Sequence, residues 1–82
     1  MRGLHLSPIS ISKMRRIKKF QRDDEWVSMK IETERSTFDE VEITKISQGD
    51  DGKGWVSFWG LDYRGYLEWH IEIERIERLT IE

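Results

Sequence analysis

The chain predicts a mainly β domain, an antiparallel meander with a closing strand, preceded by a short basic helix. Three observations carry that prediction. From residue 26 onward apolar side chains recur at every second position, the spacing at which neighbours point to opposite faces of a strand. The alternating runs are separated by short turns rich in glycine and aspartate, SQGDDGKG and GLDYRG, too short for the crossover that parallel strands need. Ahead of them Met14, Ile17 and Phe20 recur at a spacing of three among cations, as on one face of a helix.

The elements follow in order. Ser10 or Ser12 is placed to cap a helix over residues 12–20; the same basic segment also reads as an extra strand, hairpinned through QRDDE onto Trp26. In WVSMKIET, Val27, Met29 and Ile31 share one face and Trp26, Ser28, Lys30 and Glu32 the other, the pattern of a half-buried strand. ERSTFDE breaks the alternation. EVEITKI resumes it with Val41 and Ile43, and Ile46 then shifts phase, which predicts a bulge or sharp bend. SQGDDGKG is the clearest turn. WVSFW is the next strand, GLDYRG a second turn, and YLEWHIEI a strand with Leu67, Trp69, Ile71 and Ile73 on one side. Residues 26–73 thus form a four-stranded meander. Ile73 and Ile76, three apart, predict one 3₁₀ or helical turn before a last short strand through Leu79 and Ile81.

Composition bounds what such a domain can be. Eighty-two residues make one domain, and a chain of this size buries only about 60–65% of the surface that it exposes unfolded. Aromatic rings widen that margin efficiently. With no cysteine, neither a disulfide framework nor a thiolate metal site supports the core. The first ten residues lack a secretory apolar run and nowhere do 18 apolar residues occur together; a soluble, cytoplasmic protein without a membrane segment is expected. The net charge of −2 hides an asymmetry: residues 1–22 carry seven cations and no anion, whereas residues 23–82 carry seven cations and sixteen anions, a net of −9. The expected organisation is a basic N-terminal arm over 1–22 and an acidic body over 23–82.

The order of these elements, with the GDDGKGWVSFWG hairpin and the ending WHIEIERIERLTIE, resembles small five-stranded barrels of the Sm-like and Src-homology type. In that likeness Ile76 on the tight turn plugs the barrel before the last strand. The resemblance covers residues 26–82 as topology and implies a small antiparallel five-stranded barrel. It also implies binding of nucleic acid or peptides. The RNA-binding motifs of the Sm family, its Asn and Lys-Gly turns among them, are not recognisable, so no family site residue carries over.

Alternation divides the rings. Val56 and Phe58 match the face of Leu67, Trp69 and Ile71, which leaves Trp55, Trp59, Tyr66 and His70 together on the opposite side, the kind of cluster that marks an interaction site. Asp62, Glu68 and Glu72 are expected at its rim, steering a basic partner. The competing reading buries these rings in a bent strand or under Met14, Ile17 and Phe20.

Catalytic signatures are weak. His5 and His70 are far apart and do not make a compact zinc site, and His70 with Glu72 reads as an ordinary exposed strand pair. Ser57 can meet His70 across strands, but no oxyanion loop accompanies them. GDDGKG lacks phosphate-loop spacing and does not precede a helix. No enzyme activity, metal or cofactor is expected. The leading expectation is a non-catalytic interaction module that docks to a partner protein, as a modulator or inhibitor occupying another protein's nucleic-acid groove. The alternative is an RNA- or single-stranded-DNA-binding module using Lys13, Arg15, Arg16, Lys18 and Lys19, with Trp55 or Trp59 stacking on bases. Exposed edge strands and opposed charges add homo-oligomerisation as a third.

Overall fold

The structure is a computed structural model that describes residues 4–6, 9–23 and 28–81. A short strand β1 (Leu4–Leu6) leads to helix α1 (Ile11–Asp23), then β2 (Met29–Thr33), β3 (Thr37–Gln48), β4 (Gly54–Asp62), β5 (Gly65–Glu72), a 3₁₀ turn (Ile73–Arg75) and β6 (Ile76–Ile81). All paired strands are antiparallel and form one sheet in the order β1-β6-β2-β3-β4-β5. Among the described residues the ladder stops at β5 on one side and β1 on the other. The closed five-stranded barrel is therefore not what the pairing shows: β1 occupies the outer edge of β6, the edge a closing strand would need. Val27, on the predicted first strand, and Trp26 beside it lie outside the described residues.

Helix α1 starts where Ser10 caps it. Ser10 Oγ accepts the Lys13 N–H at 3.1 Å, satisfying an N-terminal donor that has no partner inside the helix, and the Ser10 carbonyl accepts the first helical bond, from the Met14 N–H at 2.9 Å. Met14 and Ile17 are buried in the same core as the strands, so the charge boundary near residue 22 is not a packing boundary. Phe20, expected on the same stripe, is 49% exposed. At 3.6 residues per turn the position that follows Met14 and Ile17 inward is Gln21, not Phe20.

Gln21 has an unusual task. Its amide donates from Nε2 to the Val41 carbonyl and accepts the Ile43 N–H at 2.8 Å through Oε1. β3 pairs with β2 only at Phe38 and Thr37, and with β4 beyond that. Gln21 thus supplies, from a helix, the pair of bonds that a neighbouring strand would make on the uncovered edge of β3. The phase shift read in EVEITKI is real: the β3–β4 register slips between Asp39 and Glu42 and again between Ile43 and Lys45. Glu40, in the first slip, takes φ +53°, the left-handed region that a bulged residue visits at a cost.

Two turns are tighter than the sequence suggests. ERSTFDE contracts to Glu34–Ser36, closed by a Thr33 N–H to Ser36 carbonyl bond of 2.8 Å. Thr37 and Phe38 become strand, and Phe38 is a core residue, 3% exposed. GLDYRG contracts to Tyr63–Arg64 between Asp62 and Gly65. Gly65 takes φ +118°, which needs glycine. Gly60 is not a turn residue at all: it is buried in β4, and a Cβ there would lie 3.0 Å from the Phe58 ring and 3.2 Å from Phe38 Cβ. The absent side chain makes room for an edge-to-face pair of Phe38 and Phe58, centroids 5.2 Å apart.

Candidate functional site: the outer face of the β4–β5 hairpin

β4 and β5 pair without a slip from Trp55 opposite Glu72 to Asp62 opposite Gly65. Alternation then sorts every side chain. Val56, Phe58 and Gly60 turn inward and are buried, while Trp55, Ser57, Trp59 and Leu61 turn outward with Tyr66, Glu68, His70 and Glu72 beside them. Trp69 faces inward, packs on Phe38 at 5.0 Å and donates its indole N–H to the Gly60 carbonyl at 3.0 Å. This is the division that the periodicity predicts, with one exception. Leu67 belongs to the inner face yet is 44% exposed; opposite it lies Gly60, which has no side chain to flank it.

On the outer face the rings are already paired with each other. Trp55 lies parallel to His70 with centroids 5.1 Å apart and planes 5° off parallel; Trp59 lies over Tyr66 at 5.8 Å and 18°. Both are diagonal pairs in the ladder, one step from the direct partners Glu72 and Glu68, a separation within reach of aromatic side chains. Between them Ser57 Oγ and His70 Nδ1 share a 2.8 Å hydrogen bond, which holds the imidazole in place against Trp55.

Exposure concentrates here. Among the described residues the large exposed apolar side chains are Phe20, Trp59, Leu61, Tyr63, Tyr66 and Leu67, and all but Phe20 lie on this hairpin. Trp59 is 38% and Tyr66 45% exposed, whereas Trp55 is half-buried.

The acidic rim differs from the expected one. Glu68 is exposed beside Trp59. Glu72 is half-buried and its carboxylate lies 3.7 Å from the Lys53 ammonium. Asp62 does not belong to this face: one step beyond Leu61, it turns to the other side of β4 by alternation. There it meets Arg64, with a bond of 2.7 Å to Nη2, one of 3.0 Å to Nε and one of 2.8 Å to the Arg64 backbone N–H. Burial pushes the Asp62 carboxyl up, but the hydrogen bonds from the Arg64 side chain and backbone and its positive charge together hold it below the ordinary carboxylate value. The Arg64 guanidinium in turn lies over the Trp69 and Tyr63 rings at 4.5 and 4.9 Å.

Sequence reasoning missed the acids that do flank the rings, Asp39 opposite Leu61 and Glu42 opposite Trp59, both exposed. They were hidden because ERSTFDE reads as a loop and because the slip at Glu40 resets the parity of β3. Burial first, and then the Glu42 and Glu40 carboxylates, push the Tyr66 hydroxyl above its ordinary value, keeping it a protonated donor.

The basic residues lie elsewhere. Arg15, Arg16, Lys19 and Arg22 are exposed on α1, with Lys13 and Lys18 half-buried. Lys18 and Arg22 form one wall of a groove of about 590 Å³ whose other wall is Glu40, Glu42 and Tyr66. Across this groove the cations of the helix face Tyr66 together with the Glu40 and Glu42 carboxylates. Among the described residues no cluster of acids and histidines is arranged to hold a metal ion, and no helix is long and apolar enough to cross a membrane. Comparison of the chain with protein-family models, with curated proteins and with solved structures returns no match.

Proposed function

We propose that this protein is a non-catalytic interaction module that docks to a partner protein through the outer face of the β4–β5 hairpin. The observation that carries the reading is the concentration on one hairpin of all but one of the large exposed apolar side chains among the described residues. Two ring pairs there are pre-packed, so little side-chain freedom is lost on binding. Trp59, Leu61 and Tyr66 are the apolar centre; Asp39, Glu42 and Glu68 are the rim. That charge distribution suits a basic partner surface, such as the nucleic-acid groove of another protein, and in that setting the module acts as an inhibitor or modulator. Ser57 and His70 serve as a fixed polar pair between the two ring stacks. Classing the coiled sheet with small barrels of the Sm-like and Src-homology type is part of the same proposal, supported by the order β6-β2-β3-β4-β5 and by the 3₁₀ turn before the last strand.

A second reading, binding of RNA or single-stranded DNA by α1, is favoured by the row of exposed Arg15, Arg16, Lys19 and Arg22 beside Phe20. Against it, the Glu40 and Glu42 carboxylates line the same groove as Lys18, Arg22 and Tyr66, and each outer ring already has one face against a neighbour.

Pull-down from the source cell lysate separates the two. The Trp55→Ala/Trp59→Ala variant is expected to lose the captured protein, and a variant with Arg15, Arg16 and Lys19 neutralised is expected to keep it. Filter binding to single-stranded RNA and DNA at two salt concentrations favours the second reading instead if binding is tight, falls steeply with salt and disappears in the neutralised variant.

A further inference from the structure

The molecule treats its sheet edges unequally. The outer edge of β6 is covered by β1, and the uncovered stretch of β3 is occupied by the Gln21 amide. Among the described residues β5 has no strand on its outer side. It is eight residues long, contains no proline or lysine and pairs with β4 without a bulge, so three of the devices that commonly blunt an edge are missing from it.

The direction of its free groups follows from the hairpin. Asp62 and Gly65 close the two-residue turn as a hydrogen-bonded pair, and hydrogen-bonded and non-hydrogen-bonded pairs alternate from there. The backbone groups of Leu67, Trp69 and Ile71 therefore bond inward to β4, and those of Tyr66, Glu68, His70 and Glu72 point to the open edge. Two side-chain bonds agree with this phase. Trp69 Nε1 reaches the Gly60 carbonyl on the β5 side, and Thr44 Oγ1 reaches the Ser57 carbonyl on the β3 side.

We propose that two copies of the chain pair antiparallel through their β5 edges, about a twofold axis at Trp69. In this register Tyr66 faces Glu72 of the second copy, Leu67 faces Ile71, Glu68 faces His70 and Trp69 faces its own counterpart. Every outward backbone group meets an outward group, polar side chains meet polar ones and apolar meet apolar. The neighbouring registers fail on charge: a twofold at residue 68 sets Glu68 against Glu68, and one at residue 70 sets Glu68 against Glu72, like charges that destabilise a cross-strand pair. The register also accounts for Leu67, the inner-face side chain left 44% exposed, which Ile71 of the second copy would cover. The dimer joins the two outer aromatic faces into one continuous surface.

Sedimentation equilibrium of the full chain over a concentration series is expected to show a monomer–dimer equilibrium; monomer alone up to millimolar concentration overturns the proposal. Glu68→Lys and His70→Glu, each alone, are expected to raise the dimer dissociation constant on the order of tenfold, and the double variant to restore it. Dissociation constants indifferent to both single changes overturn it as well. Because the chain has no cysteine, a mixture of Leu67→Cys and Ile71→Cys copies reports the register directly. Non-hydrogen-bonded partners bring their Cα atoms to about 4.5 Å, within disulfide reach, so oxidation is expected to yield the mixed disulfide in excess of either homodisulfide. A dimer that does not favour the mixed product refutes this edge pairing. The exposed Leu67 position keeps that test open if a charge variant fails to fold. Trp59→Ala leaves the edge intact, so a failed dimer and a failed docking face give different results.

Discussion

Phe58 and Trp59 are neighbours in the chain and both carry large rings, yet Phe58 is fully enclosed and Trp59 is 38% exposed. The same contrast runs along the whole hairpin: Val56, Phe58 and Gly60 on one face build the core, and Trp55, Trp59 and Leu61 on the other build the candidate site. Composition does not distinguish the two sets. What separates them is a single structural rule, that successive side chains leave a strand on opposite sides, applied to a strand with core on only one side. A ring in this protein is therefore core or surface according to the parity of its position, and the two faces answer differently to substitution.

The largest expected effect is on the inner face. Phe58→Ala removes a fully buried ring and is expected to cost about 3–5 kcal/mol, comparable with the total stability of a small domain at about 5–15 kcal/mol; urea unfolding would place the variant near or beyond unfolding in water. Next, Gly60→Ala forces a methyl group against Phe58 and Phe38 and is expected to cost about 1–3 kcal/mol by overpacking. Thermal melts that match wild type would show that the inner layer has more room than its packing indicates. Gln21→Ala leaves the Val41 carbonyl and Ile43 N–H without their side-chain partner, at an expected cost of about 1–2 kcal/mol, and hydrogen exchange at Ile43 is the direct readout. On the outer face, Trp59→Ala is expected to cost about 1 kcal/mol or less while abolishing partner capture. A loss like that of Phe58→Ala would erase the distinction between the faces.

The smallest effect sits at the hairpin tip. Asp62 has a folded-state value held below the ordinary one by Arg64, so the fold binds fewer protons than the unfolded chain in that range. Its stabilising contribution is complete above the ordinary carboxylate value, about pH 4, and is lost as pH falls through the lowered folded value. Asp62→Asn removes this contribution, so the stability gap between wild type and variant is expected to narrow as pH falls from about 5 to 2. Parallel stability curves across that range would contradict the pairing with Arg64.

Much of this was legible in the residues. The alternation in WVSFW and YLEWHIEI assigns Trp55, Trp59, Tyr66 and His70 to one face and Trp69 to the other, as the structure has them. Ser10 was readable as a cap and Ile46 as a phase shift. The misreadings share a cause. ERSTFDE and GLDYRG look like loops because polar and glycine residues favour turns, but strands β3 and β4 run through most of them, burying Phe38 and carrying Asp62 to the face opposite the rings. Gly60 reads as turn punctuation because the packing of Phe38 against Phe58, which excludes a side chain there, joins positions about twenty residues apart. Phe20 reads as core because a spacing of three looks like a helical stripe until the next inward position proves to be Gln21.

Local periodicity alone determined the order of the strands after the helix and the sidedness of the rings on the β4–β5 hairpin, because the pleat converts position directly into direction. Only the tertiary structure decided which edges are covered and that the sheet, among the described residues, ends at the three-residue β1 on one side and at the eight-residue β5 on the other. A strand's edge is satisfied by whatever the rest of the chain brings to it, here β1 on β6 and a glutamine amide on β3, and no local pattern in β5 announces how its own edge is left. The acids of the rim, Asp39 and Glu42, were settled the same way, by a backbone slip at Glu40 that depends on β3 serving two neighbours at once.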